Sequence, residues 1–193
     1  MYKGTIYWDA CIFYEWLGKE TVTREKSDGI NEVLDANDEG LNTIITSVAT
    51  HLEVLPQKMD AKDDEAEAKY LSLFDAVKFC EIQISTNVIL LAREIRDYYY
   101  RPFVPGKPGV KAVPATETKE AVAGIREVKP IPAKMMDLGD CIHLATAIIE
   151  GASEFHTRDD DSKGSKIPLV SLYEFSGQQK VCGKYELEIK APT

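Results

Sequence analysis

The strongest constraint on the fold is a rhythm along the chain. Short strand-like runs at residues 5–8, 43–46, 79–84 and 154–157 recur with stretches of helical patterning between them. Runs this short, bounded by polar residues, suit buried strands better than helices. Strands that alternate with helices specify an α/β architecture, because each parallel connection must cross a face of the sheet. The expected fold is therefore a three-layer α/β/α arrangement around a central, mostly parallel sheet of four or five strands. In such sheets ligands bind outside the carboxyl ends of the strands. Residues that close the strands are thus the first place to look for chemistry.

The intervening segments fill in this frame. Ile12–Leu17 gives a short helical turn, and residues 19–40 are polar and acid-rich with Ile30, Val33 and Leu34 at helical spacing. Ser47 is an N-cap candidate for a helix that carries Val48, Leu52 and Leu55 on one face, with Pro56 ending it. Residues 62–77 place Ala66, Tyr70, Leu73, Phe74 and Val77 on one helical face. Ser85–Tyr100 predicts a long helix with Val88, Leu91, Ile95 and Tyr98 inward. A helix over 137–150 carries Ile142, Ala145, Ile148 and Ile149. Residues 167–171 predict a further strand, and the alternating Val181, Tyr185, Leu187 and Ile189 a C-terminal strand or tail.

Residues 101–134 interrupt the rhythm with six of the nine prolines. They are expected to form an insertion in a single domain spanning 1–175, with 176–193 as a C-terminal extension. Seven Lys or Arg against three Glu give this stretch a net +4, so subtracting it from the chain's −9 leaves −13 elsewhere. An acidic body argues against bulk electrostatic binding of nucleic acid, because phosphate contacts need cations. A basic segment on that body softens the objection. No apolar run approaches the ~20 residues of a membrane-spanning helix, and the opening run has no basic, then apolar, leader pattern. Cys11, Cys80, Cys141 and Cys182 have no partner at Cys-x-x-Cys spacing, which leaves reduced thiols and a cytoplasmic protein as the expectation.

Four acids fall where a site would form. Asp9 directly follows the first strand and Asp159 follows the strand at 154–157. Glu53 lies in the helix after the second strand, and Asp140 in the first turn of the helix before 154–157. Converging carboxylates repel and take up protons unless a cation neutralises them. Hard oxygen ligands suit Mg²⁺ or Mn²⁺. For any one of these acids taken alone, capping or solvation is the better reading.

The motifs resemble those of the PIN-domain family, and of its VapC-type toxins in particular. The opening Ile6-Tyr7-Trp8-Asp9-Ala10-Cys11-Ile12-Phe13 is similar to the family's first strand and its Asp. Ile45-Thr46-Ser47-Val48-Ala49-Thr50-His51-Leu52-Glu53 resembles the segment that carries its Glu. Asp140-Cys141-Ile142-His143-Leu144-Ala145-Thr146-Ala147 is similar to its D-x-x-H-L-A-T-A stretch, and Thr157-Arg158-Asp159 to its T-x-D strand end. The set spans residues 5–171 in family order. The resemblance implies a Mg²⁺- or Mn²⁺-dependent endoribonuclease, with Asp9, Glu53, Asp140 and Asp159 as catalytic metal-site acids and Asp161 as a further metal ligand. It also implies the toxin of a toxin–antitoxin pair, an antitoxin partner and a homodimer. A PIN ribonuclease of RNA processing, or a catalytically silent PIN-fold binding module, are the alternatives. The 101–134 stretch is longer than in compact members of the family.

Other residues carry weaker signals. Thr46, Ser47 and Thr157 offer hydroxyls to water or phosphate. Asp137 suits a helix start, and His143, one turn from Asp140, is expected to pack or bond along its helix face. Arg93, Arg96 and Arg101 with Tyr98–Tyr100 form a basic-aromatic cluster of the kind that holds single-stranded nucleic acid. A haloacid-dehalogenase-like phosphatase also starts with a strand and an Asp, but it needs a second Asp at position 11, which is Cys.

Overall fold

The computed structural model describes residues 3–18, 24–55, 64–75, 79–100, 108–109, 126–127, 134–160 and 166–192. In chain order the elements are β1 (Gly4–Trp8), α1 (Ala10–Trp16), α2 (Arg24–Asp38), β2 (Asn42–Ser47), α3 (Thr50–Glu53) and α4 (Asp64–Ser72). A 3₁₀ turn (Leu73–Asp75), β3 (Phe79–Ile82) and α5 (Thr86–Tyr99) follow, then a small antiparallel pair, β4 (Pro108–Gly109) and β5 (Arg126–Glu127). The chain closes with α6 (Leu138–Ile149), β6 (Glu154–His156), α7 (Leu172–Ser176) and β7 (Glu188–Lys190).

Five strands form one sheet in the order β3-β2-β1-β6-β7, with every pairing parallel. The expected three-layer α/β/α fold is what the chain adopts. Period-two alternation along the strands divides the interior in two. Ile6, Trp8, Ile44 and Phe79 point to a core shared with α1, α2 and α4, where Phe13, Ile30, Val33 and Tyr70 pack. Tyr7, Ile45 and Phe155 point to the other core, built with α5, α6 and α7. The chain runs from β1 outward to β2 and β3, then returns to β6 on the opposite side of β1. The strand order therefore reverses between β1 and β6, the position at which a crevice opens in sheets of this kind.

Several local expectations are corrected. Ser47 is the last residue of β2, not a helix cap, although its hydroxyl accepts from the Ala49 amide at 3.2 Å. The helix that follows is a single turn, α3; Leu52 is 78% exposed and Val54, not Leu52 or Leu55, is buried. On α5 the inward set is Val88, Ala92, Ile95 and Tyr99, which turns Tyr98 outward to bond Gln178. Residues 167–171 form no strand. Ile167, Pro168 and Leu169 are all buried, without the alternation of a strand, and Pro168 offers no amide. The amides of Leu169 and Val170 go instead to the side chain and carbonyl of Asp159. The fifth strand comes from further on: β7 pairs with β6, and Val181, Cys182 and Leu187 sit in the α5–α6 core. Only 108–109, 126–127 and 134 of the proline-rich stretch are among the described residues.

Candidate metal centre

Asp9 leaves β1 with an extended backbone (φ −76°, ψ 158°) and caps α1, accepting from the Ala10 amide at 2.8 Å. Its second oxygen accepts from the Thr157 hydroxyl at 2.7 Å and from the Cys11 thiol at 3.3 Å. Thr157 in turn accepts from the Asp159 amide at 3.1 Å, so one hydroxyl ties the ends of β1 and β6 together. Burial first, and then the charge of Asp9, pushes the Cys11 thiol well above its usual range, so it remains a neutral donor.

Glu53 ends α3. The Tyr14 hydroxyl donates to its carbonyl and accepts from the Leu55 amide, pinning the short helix to α1. Thr46 donates to the Trp8 carbonyl at 2.8 Å and so accepts from Thr50 at 2.7 Å, fastening the base of α3 to the sheet. Glu53 Oε1 lies 3.1 Å from Nε2 of His143, a fully buried residue of α6. On the other side of that ring, Nδ1 lies 2.6 Å from the Tyr7 hydroxyl, which already accepts from the Ser47 amide at 2.9 Å. In the neutral ring, a Tyr7 O–H that donates to Nδ1 leaves Nε2–H to donate to Glu53. Burial lowers the basicity of His143, but the bond to Glu53 and the charge of Asp9 outweigh it and the net shift is upward.

Asp140 sits in the first turn of α6 behind the cap Asp137, which accepts from the Gly139 amide at 2.9 Å. Burial, helped by Asp9 and Asp159 and opposed by Lys166, raises its carboxyl to about 7. Asp140 Oδ2 is buried and makes no hydrogen bond. Lys166 Nζ stands 3.5 Å from that oxygen and 3.1 Å from Asp159 Oδ2.

These elements close around one cavity of about 470 Å³ at the carboxyl edge of β1 and β6. Among the described residues, Asp9, Glu53, Asp137, Asp140, Asp159 and Asp160 line it against Arg158 and Lys166. Arg158 is already committed to Glu15 at 2.8 Å. A pocket with this excess of carboxylate attracts cations. Single ligand atoms of Asp9 and Glu53 on its wall and of the buried His143 lie within 4.8 Å of one another, a compact cluster suited to metal coordination. The structure thus brings Asp9, Glu53, Asp140 and Asp159 to one cavity, while Asp161 lies outside the described residues. His143 and Lys166 join them without having been singled out for the site from sequence. His143 had one usable signal, its position one turn after Asp140 on the same helix. Lys166 had none, since its approach depends on how the chain returns after Asp159.

A second cavity, of about 460 Å³, opens between α5 and α6 and is lined by Ile89, Ala92, Met135, Leu138 and Ile142 with Arg93 and Arg96. Among the described residues it has no comparable set of metal-binding groups. No helix among the described residues is long and apolar enough to cross a membrane. In comparisons with protein-family models, with curated proteins and with solved structures, the chain matches none.

Proposed function

We propose that the protein is a PIN-type, metal-dependent endoribonuclease, the toxin of a toxin–antitoxin pair. The observation that carries this reading is the acidic cavity at the β1/β6 switch point, which gathers the same four acids that the sequence motifs single out. The charges of Asp9, Glu53 and Asp140 gathered at one cavity support a cation there, because converging carboxylates repel unless a cation neutralises them. Asp9 and Glu53, with Asp140 beside them, would hold Mg²⁺ or Mn²⁺. Bound there, the ion supplies an activated water and neutralises charge on a phosphodiester. The protein's own part is positional. Thr157 fixes the Asp9 carboxylate, and His143 fixes that of Glu53.

An antitoxin would present a basic side chain to this acidic cavity. A homodimer would use the apolar groove between α5 and α6, where Leu138 is more than half exposed; size-exclusion chromatography of the chain alone and with its partner checks both. The activity is tested on a mixed pool of single-stranded RNAs. Cleavage should require Mg²⁺ or Mn²⁺ and disappear in Asp9→Asn and Asp140→Asn while both variants stay folded. Cleavage in the presence of chelator, or full activity in Asp140→Asn, would overturn the proposal.

A further inference from the structure

The carboxylates of the cavity divide into two sets. Asp9 and Glu53 converge with His143 and form no ion pair with a Lys or Arg among the described residues, whereas Asp140 and Asp159 share the ammonium of Lys166 at 3.5 and 3.1 Å. Lys166 is not held elsewhere: its only ion pairs among the described residues are these two. Its backbone is fixed by a bridge to Met135, which precedes α6, so the side chain springs from the wall of the cavity. An ammonium placed between two carboxylates does electrostatically what a divalent ion would do there, with half the charge.

We infer that Lys166 is a resident cation of this site, so that the cavity takes one divalent ion, at Asp9 and Glu53, rather than two. This inference rests on the metal-dependent reading above. Lys166 then offsets part of the charge of Asp140 and Asp159, and its ammonium stands at the cavity wall where a phosphate oxygen of the substrate would approach. Two divalent ions ~4 Å apart are the usual alternative for phosphodiester cleavage; here the second position is filled by the chain itself.

The test is Mn²⁺ stoichiometry, measured by calorimetric titration and by the loss of the free-Mn²⁺ electron paramagnetic resonance signal, in the full chain without substrate. The native protein should bind one Mn²⁺ per chain. Lys166→Gln frees two carboxylates and should bind a second ion, and Lys166→Arg, which keeps the charge, should return to one. Two ions in the native protein, or one in folded Lys166→Gln, would overturn the inference and leave the metal-dependent reading standing. No Mn²⁺ bound by any of the three would remove both. Should Lys166→Gln fail to fold, the native and Lys166→Arg counts still decide, because two ions in either contradicts a resident cation.

Discussion

The Tyr7 hydroxyl and His143 Nδ1 lie 2.6 Å apart in the interior, and this contact sets which nitrogen of the ring faces Glu53. The hydroxyl accepts a hydrogen bond from the Ser47 amide and donates one to Nδ1 of the neutral ring, so a hydrogen-bonded chain runs from the end of β2 to Glu53 at the site. Burial first of all drives the Tyr7 phenol far above its ordinary range, which keeps that proton in place at any working pH.

Tyr7→Phe should therefore be costly although it keeps the ring stacked on Phe155, whose centroid is 5.0 Å away. It strands the Ser47 amide and His143 Nδ1 in a dry interior. The expected loss is about 1–3 kcal/mol, the range for a buried polar group left without its partner. Urea unfolding of the two proteins measures it directly, and a difference under about 0.5 kcal/mol would show that the hydrogen-bonded chain contributes little to stability.

The pH dependence of stability follows from Asp140. Its carboxyl is raised from 3.8 to about 7 in the folded chain, so between these values the folded state holds a proton that the unfolded state has released. Its contribution is fully present below about pH 4 and is lost as pH rises through about 7. His143, also shifted upward, contributes in the same direction. The metal-free protein should melt at lower temperature near pH 8 than near pH 5.5. Asp140→Asn should flatten this trend, and saturating Mn²⁺ should reverse it, because the ion binds the deprotonated folded site. A melting temperature in metal-free buffer that rises over this interval contradicts the assignment.

What the sequence made legible was the part of the site attached to regular structure. Asp9 and Asp159 follow strands, and Asp140 opens a helix with clear periodicity, so the sheet's geometry alone delivers them to one edge. Glu53 was found by motif, but its surroundings were not. A one-turn helix has no periodicity to read, and Leu52 and Leu55, which suggest an inward face, are left outside while Val54 packs. The run at 167–171 misleads for a related reason. The apolar Ile167, Leu169 and Val170 read as a strand, but Pro168 is buried between them and what orders this segment is Asp159, which accepts both the Leu169 and the Val170 amides. That contact, like those of Lys166, spans positions well apart along the chain. Local pattern carries no trace of it.

Gly139 yields a prediction in which stability and metal binding separate. A Cβ on this residue would lie 2.5 Å from Glu53 Oε1 and 3.3 Å from Asp137 Oδ1, so glycine is what lets the Glu53 carboxylate approach the start of α6. Nothing in the backbone there requires glycine, since Gly139 is not among the residues with positive φ. Gly139→Ala should consequently favour the helix, by up to ~1 kcal/mol on intrinsic propensity. The Glu53 side chain is over a third exposed and has room to swing away from the new methyl group. Its bond to His143 would go with that movement. The helix gain offsets the lost bond to His143, so the metal-free variant should melt close to the native temperature while its Mn²⁺ affinity falls, on the order of tenfold, as for lost supporting contacts at metal sites. Thermal melts beside calorimetric titration read the two effects separately. An alanine variant with native Mn²⁺ affinity would show that Glu53 does not need its present position to hold the ion.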